Sequence, residues 1–297
     1  MKKKKSFRIT SDHIFDVFNT IILILFSLIV LYPIIVVVSS SFSSPNALMA
    51  GKVLFAPVDP TLDGYRAVIH HPDIWTGIKN SIFYTVVGTV INLVVSVLAA
   101  YPLSRKDFTS RGWISLFFAF TMWFGGGLIP TFLLIKDMGL YNTRAVMLIP
   151  LAMNVWNMII VRTYFQSNIS DDLLEVAKID GCSDIRFLTK IVVPLSKPVL
   201  AVVALYYAVA NWNIYAHAYI YINKPELQPI QVVLRDILLL NSTQEISVDV
   251  TKMGKSEQLS ELLKYSLVVV ASIPMILIYP FVQKHFVKGI MVGSVKG

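Results

Sequence analysis

Long apolar runs alternate with polar segments along this chain. Six of the runs reach the length of about twenty residues that a helix needs to cross a bilayer. Helix is the predicted state for each of them, because an isolated strand in lipid would leave its backbone groups unpaired. The predicted spans cover residues 14–40, 80–102, 113–135, 145–166, 199–222 and 263–283. The pattern therefore predicts an all-α polytopic membrane protein with six transmembrane helices.

The composition supports a location in membrane lipid. The 297 residues are 55% hydrophobic and 15% charged, with a mean hydropathy of +0.65, whereas soluble domains carry about 25% charged residues. The net charge of +8 does not indicate a nucleic-acid partner, because the basic residues stand at the edges of apolar runs, where they set orientation. A cleaved signal peptide is the alternative for the first run. That run is longer than a signal core, so we expect a retained span.

The distribution of Lys and Arg predicts the orientation of the spans. If the N-terminus is cytoplasmic, the inner segments hold most of the 26 basic residues, as the positive-inside rule expects. Both termini and the loop 167–198 are then cytoplasmic, and the long segments 41–79 and 223–262 are external. The predicted regions are a basic N-terminal segment (1–13), the first span with its external loop (14–79), a core transmembrane domain (80–284) and a tail (285–297).

The polar loop 167–198 carries helix signals of its own. A first short helix is expected to begin at Ser170 or Asp171 and to end at Gly181, since Gly readily takes the left-handed conformation after a helix. Its predicted apolar face consists of Leu173, Leu174 and Ala177. Ser183 can cap a second helix, and Pro194 is expected to close it. The loop is thus predicted to form a helix, a Gly corner and a second helix, a shape suited to docking on a soluble partner.

The sequence of this loop resembles a known signature. It is similar to the EAA motif of permease subunits of ATP-binding-cassette (ABC) importers, which reads EAA, three residues, Gly, nine residues, then I-x-L-P. The matching residues, with the Asp that precedes the Gly, are Glu175, Ala177, Asp180, Gly181, Ile191 and Pro194. Val176 and Val193 depart from the motif, and each is a conservative apolar exchange. The resemblance covers nearly the whole chain.

Further segments narrow the resemblance to one branch of these permeases. They are Pro194–Pro198, Asn211–Asn213, Gly126–Thr131 and the ending Val292–Gly297. They resemble carbohydrate permeases related to the maltose permease (MalG-like, within the MetI-like permeases), especially those for complex oligosaccharides and polysaccharides. The resemblance implies the type I ABC importer permease fold, with 167–198 as the coupling-helix loop. It also places the chain in the bacterial cell membrane, with several spans and both termini cytoplasmic.

The resemblance also implies a set of partners. They are a second homologous permease subunit, two ATPase subunits and an extracellular solute-binding protein that delivers an oligosaccharide. The six residues named for the motif would then couple transport to the ATPase. The chain itself is expected to be a transport subunit without enzymatic activity or bound cofactor, because ATP and Mg belong to the partner ATPase. Gly254-Lys255-Ser256 is similar to the end of a phosphate-binding loop, but Asp249 stands where the first Gly of that motif would have to be.

Polar and aromatic residues inside two spans are candidates for the substrate path. They are Asn154, Trp156, Asn157, Asn211, Trp212, Asn213 and Tyr215. Amides can bond the hydroxyls of a sugar and aromatic rings can pack on its apolar face. Polar residues inside spans also tend to face a bundle interior or a water-filled cavity. The alternative is that the amides join helices and the Trp residues pack.

Other classes of function remain as alternatives. A membrane-embedded enzyme is disfavoured, because none of the predicted spans carries a cluster of His, Asp and Glu. A self-sufficient secondary transporter is disfavoured because such carriers place carboxylates in mid-membrane, and the predicted spans contain only Asp16, at an edge. An ABC permease for a non-sugar solute remains open on the loop alone.

Overall fold

The computed structural model describes residues 11–243 and 253–290, and the regular elements within these ranges are helices. The first six are α1 (Ser11–Ser41), α2 (Pro45–Met49), α3 (Asp63–His70), α4 (Pro72–Ser104), α5 (Arg111–Trp123) and α6 (Leu128–Asp137). The next six are α7 (Val155–Asn168), α8 (Asp171–Ile179), α9 (Asp184–Phe187), α10 (Val193–Leu195), α11 (Lys197–Trp212) and α12 (Ala216–Tyr221). The last two are α13 (Ile230–Thr243) and α14 (Met253–Ile290). Short 3-10 helices occur at Arg144–Met147 and Pro225–Leu227, and a π-helical turn at Leu188–Val192.

The chain divides into two compact units. One contains the chain up to His70 together with Ile237–Val270, and the other contains His71–Asp236 together with the chain from Ala271. In the first unit, the side chains of residues 15–35 on α1 are all exposed. That is the pattern of an apolar helix whose surroundings are lipid or another subunit. Most of the predicted segments 1–13 and 285–297 lies outside the described residues, and so does Asp249.

Helix α4 is the centre of the second unit and packs along both α7 and α11. Its buried face carries small and polar side chains three or four positions apart: Ser81, Thr85, Gly88, Asn92, Ser96 and Ala100. Small residues let membrane helices approach closely, and polar residues join them by hydrogen bonds. Apolar side chains from the facing helices, such as Met158, Val161 and Val203, complete the core around this stripe.

Three helical stretches among the described residues are long and apolar enough to cross a membrane. They are Phe15–Ser41, Pro72–Ser104 and Glu261–Ile278. Two further spans are obtained if each of two bent helix pairs counts as one: α5 with α6, bent by 113°, and the segment Asp184–Leu195 with α11, bent by 83°. These five stretches overlap the first, second, third, fifth and sixth predicted spans.

Three predicted spans differ from the observed helices in a way that matters for the site. The predicted span 145–166 is helical as α7 only from Val155, because Pro150 and the capping Asn154 precede it. The predicted span 113–135 is broken at residues 124–127, where Gly127 has a φ of +82°. The predicted span 199–222 is likewise broken at 213–215, between α11 and α12.

The polar loops of the second unit gather at its two ends. At one end, Asn80 Nδ2 donates a hydrogen bond of 2.8 Å to the Glu226 carbonyl. At the other end, Lys106 Nζ lies 2.6 Å from Asp171 Oδ2. The first pair joins the start of the second predicted span to a segment predicted to be external, and the second pair joins two segments predicted to be internal. The grouping of the loops on two sides of the membrane stays a prediction.

Candidate functional site

The corner of the loop 167–198 has the geometry that the sequence predicts. Helix α8 ends at Ile179, and Gly181 follows with a φ of +69°. The Gly181 N–H donates to the Lys178 carbonyl at 3.0 Å, and the Cys182 N–H donates to the Ala177 carbonyl at 2.8 Å. This pair of bonds is the Schellman arrangement, which satisfies the last carbonyls of a helix and needs a left-handed residue. Gly181 therefore fixes the angle between α8 and the segment that follows.

The second half of the loop begins as predicted and ends differently. Ser183 Oγ accepts a hydrogen bond of 3.4 Å from the Arg186 N–H, which caps α9. The prediction that Pro194 closes this segment is wrong by a short distance, because helical structure continues through Leu195. Pro194 lies in the first turn of α10, directly after the π-helical turn Leu188–Val192.

One face of the loop is buried in the core of the second unit. Leu174, Ala177 and Phe187 join the cluster that contains Val161 and Phe165 of α7. The prediction for Leu173 is wrong, since this side chain is 42% exposed. One helical turn cannot bury both Leu173 and Leu174 against the same flat surface, because neighbours on a helix point about 100° apart.

The opposite face of the loop is exposed and largely apolar. Val176, Ile179 and Ile185 have exposed fractions of 58%, 85% and 76%, and they flank the exposed Glu175 and Asp180. Contiguous exposed apolar side chains rimmed by charge are characteristic of a protein interaction surface. We call this surface, formed by Glu175, Val176, Ile179, Asp180 and Ile185, the coupling face.

Ion pairs connect α8 to the loop between α4 and α5. Asp107 accepts from Arg105 at 3.2 and 3.1 Å, and Lys178 Nζ donates to the same carboxylate at 3.1 Å. Lys106 pairs with Asp171 at the first turn of α8. The helix is thus held near both of its ends. We call these ion pairs of Asp107 and Asp171 the ionic brace. The sequence analysis missed it, because Asp107 and Lys178 lie 71 positions apart.

The ionisation of Asp107 keeps the brace intact over the physiological pH range. Hydrogen bonds from Arg105 and from Lys178 lower the pKa of Asp107 to about 2. A carboxyl whose pKa is lowered by folding stabilises the folded state above its unfolded pKa, and that contribution is lost as the pH falls through the folded pKa. The stabilisation by Asp107 is therefore fully present above about pH 4 and is lost only near pH 2.

Reversing the charge of Asp107 is expected to loosen α8. Asp107→Lys would place a cation between Arg105 and Lys178, and like charges repel. Cys182, the single cysteine, packs against the same core and is only partly exposed. We expect maleimide labelling of Cys182 to become several-fold faster in the variant. The matched control is Asp63→Lys, because Asp63 pairs only within α3, with Arg66 at 3.2 Å. Equal labelling rates in Asp107→Lys and wild type would contradict the brace.

The path candidates on α7 take different positions. Asn154 Oδ1 accepts a hydrogen bond of 3.2 Å from the Asn157 N–H and so caps the helix. Asn157 is 8% exposed, whereas Trp156 between them is 62% exposed. Of these three residues, Trp156 has the ring surface that a solute or another subunit would contact.

The candidates Asn211 and Trp212 make their contacts within the chain. Asn211 Nδ2 donates to Asn92 Oδ1 at 2.9 Å, and Trp212 is 2% exposed with its Nε1–H donating to the Ala271 carbonyl at 3.1 Å. These contacts fit the alternative in which amides join helices and Trp packs. A role of either residue in the path stays a prediction.

The sequence analysis missed the polar partners that join α4 to α7 and α11. Asn92 is one, and the buried pair Ser96 Oγ and Tyr207 Oη, 2.6 Å apart, is another. Tyr207 Oη also accepts a hydrogen bond of 3.0 Å from the Asn154 N–H. The signal for them was present in the second span, as small and polar residues recurring at intervals of three or four.

The remaining candidates lie where the fifth predicted span is broken. Asn213 is exposed and donates from Nδ2 to the Val209 carbonyl at 3.0 Å. The ring of Tyr215 stacks on that of Tyr219 at a centroid distance of 5.8 Å. Arg235 of α13 lies over the Tyr219 ring, with its guanidinium carbon 4.1 Å from the centroid. The sequence analysis missed Arg235, because its contact with Tyr219 spans sixteen positions and two helices.

These features are those of an importer permease, and comparison with known proteins identifies the family. The chain belongs to the binding-protein-dependent transport system inner membrane components, whose family model matches residues 92–292. It is therefore a multi-pass membrane protein of the ABC importer permease class. The resemblance drawn from the loop 167–198 is confirmed.

Individual relatives agree along nearly the whole chain. The polygalacturonan/rhamnogalacturonan transport system permease protein YtcP of Bacillus subtilis (strain 168) is 41% identical over 287 residues, which are 96% of this chain and 99% of the relative. Protein LplC of the same organism is 38% identical over 287 residues, covering 97% and 96%. A chain of a bacterial ABC transporter involved in the import of the acidic polysaccharide alginate superposes with a TM-score of 0.86 at 38% identity, covering 95% of this chain and 100% of that chain. The predicted all-α importer permease fold is confirmed.

Proposed function

We propose that the chain is the transmembrane permease subunit of an ATP-driven importer that takes up oligosaccharides delivered by an extracellular solute-binding protein. The observation that carries the proposal is the coupling face, which is exposed and apolar. Its helix α8 is anchored by its buried side chains and by the ionic brace. An element held in this way can pass a movement of a soluble partner on to the membrane helices without bending. Membership in the permease family supports the same function.

The proposal assigns a side of the membrane to each loop. The loop 167–198 and both termini face the cytoplasm, in line with the positive-inside rule. The segments 41–79 and 223–262 face outward, toward the solute-binding protein. Residues 80–284 form the transport core, preceded by the basic segment 1–13 and the region 14–79, and followed by the tail 285–297.

The energy for transport comes from separate subunits in this proposal. Two ATPase subunits hold ATP and Mg and bind below the membrane, and the coupling face docks on one of them. This chain supplies no catalytic residue and binds no cofactor. A second, homologous permease completes the path. The exposed apolar side chains of α5, including Trp113, Phe117 and Phe120, are available for that subunit or for lipid.

Oligosaccharides are the substrate class that the relatives support best. YtcP is named for the transport of polygalacturonan and rhamnogalacturonan, and the alginate importer for the import of an acidic polysaccharide. A permease for a non-sugar solute is the alternative. Uptake by the complete transporter, reconstituted with its own binding protein, decides between them when neutral and acidic oligosaccharides, amino acids and phosphate are offered. Uptake of a non-sugar solute alone would contradict the proposal.

Charge reversal on the coupling face tests the docking role. Glu175→Lys is expected to leave the protein inserted but to reduce co-purification of the ATPase by about tenfold, since a charge-assisted contact at an interface is worth about 1.5–3 kcal/mol. The measurement is affinity purification from native membranes in mild detergent with quantitative mass spectrometry.

A matched control for this experiment lies at the start of α4, in the same unit as Glu175. Glu175→Lys is compared with Asp73→Lys, because Asp73 is also exposed but lies at the start of α4, in a segment assigned to the outer side. Asp73→Lys is expected to retain the ATPase. Unchanged recovery of the ATPase with Glu175→Lys would exclude the proposed docking, and recovery of only this chain in wild type would favour a self-sufficient carrier.

A further inference from the structure

The break between α11 and α12 lies within a predicted membrane span. Residues 213–215 separate the two helices, whereas the predicted span continues to residue 222. Irregular backbone at membrane depth is stable only where it is buried in protein or faces a water-filled cavity. Asn213 is exposed and Tyr215 is 37% exposed in this chain. This exposed stretch is therefore suited to line a water-filled cavity.

Two tyrosine rings form a platform beside the break. The rings of Tyr215 and Tyr219 are stacked, with centroids 5.8 Å apart and planes inclined by 21°. They are 37% and 45% exposed. Exposed aromatic rings that are fixed by stacking offer an apolar surface at little cost in conformational entropy. A pyranose ring, which has an apolar face, can pack on such a surface.

A fixed cation stands over this platform. The guanidinium carbon of Arg235 lies 4.1 Å from the centroid of the Tyr219 ring. Arg235 Nη1 donates to Asp236 Oδ1 at 3.0 Å, and the Arg235 side chain is 33% exposed. The guanidinium has five N–H donors in a planar fork. The contacts with Asp236 and Tyr219 hold this fork in place, and its exposed part can donate to a ligand.

We infer that Arg235 and the rings of Tyr219 and Tyr215 form a subsite for a sugar residue that carries a carboxylate. The guanidinium matches a carboxylate in a bidentate geometry, and the rings receive the apolar face of the sugar. A neutral sugar would need only the rings and amides, so the fixed cation favours an acidic one. Asp236 partly neutralises the charge of Arg235. This weakens the binding of the anion and allows its release, as passage along a transport path requires.

This inference rests on the proposed function and narrows its substrate class to acidic oligosaccharides. The test uses the complete transporter in proteoliposomes, with ATP inside and its solute-binding protein outside. The probes are radiolabelled trigalacturonate and, as the neutral probe, maltotriose. Uptake and binding-protein-stimulated ATP hydrolysis are measured for the wild type, Arg235→Gln, Arg235→Lys and Tyr219→Ala. Arg66→Gln is the matched control, because Arg66 also pairs with an Asp, at 3.2 Å, and lies outside the platform.

The expected result is uptake of trigalacturonate by the wild type and at least a roughly tenfold lower uptake with Arg235→Gln, the size of one lost charge-assisted contact. Stimulated ATP hydrolysis stays near the wild-type level, Arg235→Lys restores part of the uptake, Tyr219→Ala lowers the uptake because the ring of the subsite is lost, and Arg66→Gln resembles the wild type. Three results would overturn the inference: uptake of maltotriose alone, unchanged uptake with Arg235→Gln, or an equal fall in stimulated ATP hydrolysis, which would assign Arg235 to docking of the binding protein. Uptake of neither sugar, together with uptake of a non-sugar solute, would contradict the proposed function itself.

Discussion

Gly181→Val is expected to leave the protein inserted in the membrane but to lower ATP-driven uptake at least about tenfold while ATP hydrolysis continues. Gly181 has a φ of +69°, and a residue with a Cβ in this conformation costs about 1–2 kcal/mol, more when it is β-branched. The backbone relieves this strain by leaving the left-handed region, which changes the direction of α9 relative to α8. The coupling face then loses its shape although each of its side chains is still present.

Gly181→Asn is the control for this prediction. Asn tolerates the left-handed conformation, so we expect this variant to retain most of the uptake. No atom lies within 4 Å of a Cβ built on Gly181, so neither side chain meets a steric clash within the chain. Uptake and ATP hydrolysis are measured side by side in proteoliposomes. An equal loss in both variants would assign the effect to contact with the partner subunit rather than to the backbone.

Gly88→Leu is expected to have the largest effect on folding. A Cβ at Gly88 would lie 2.8 Å from Nδ2 of Asn211, and that amide is already held by Asn92. Leu would separate α4 from α11 and break the buried hydrogen bond, at a cost of about 3 kcal/mol or more. We expect the apparent melting temperature in mild detergent to fall by roughly 5–10 °C, or the yield of folded protein to collapse.

Gly112→Leu is the matched substitution for this experiment. Gly112 lies in α5, and no atom lies within 4 Å of a Cβ built on it. Leu is also a better helix former than Gly, so Gly112→Leu is expected to keep or raise the melting temperature. A fall of the same size in both variants would mean that close packing at Gly88 does not govern the stability.

Local signals in the loop 167–198 predicted its structure well. Gly181 as the corner and Ser183 as a cap depend only on residues within one or two turns, and hydrogen bonds at that distance are encoded by neighbours in the sequence. Leu174 and Ala177 were correct as buried residues. Leu173 was wrong, because the apolar pattern does not say which of two adjacent leucines faces the core.

Long-range contacts in the candidate site were not predictable in the same way. The partner of Lys178 is Asp107, and the residue above Tyr219 is Arg235. An apolar run also does not show where a membrane helix breaks. The interruptions at 124–127 and 213–215 leave backbone groups that must be satisfied by surroundings outside the run. The hydropathy pattern does not contain these surroundings, so it predicted one continuous span across each interruption.

The sequence by itself determined the membrane class and the shape of the coupling corner. Each of these depends on hydrophobicity summed over a segment or on hydrogen bonds within a turn. Only the tertiary structure decided that α8 is braced through Asp107, that Asn211 and Trp212 are buried, and that Arg235 caps an exposed aromatic platform. Those outcomes depend on which helix faces rest against each other, and the spacing of residues along one chain segment does not specify the face that a distant segment will present.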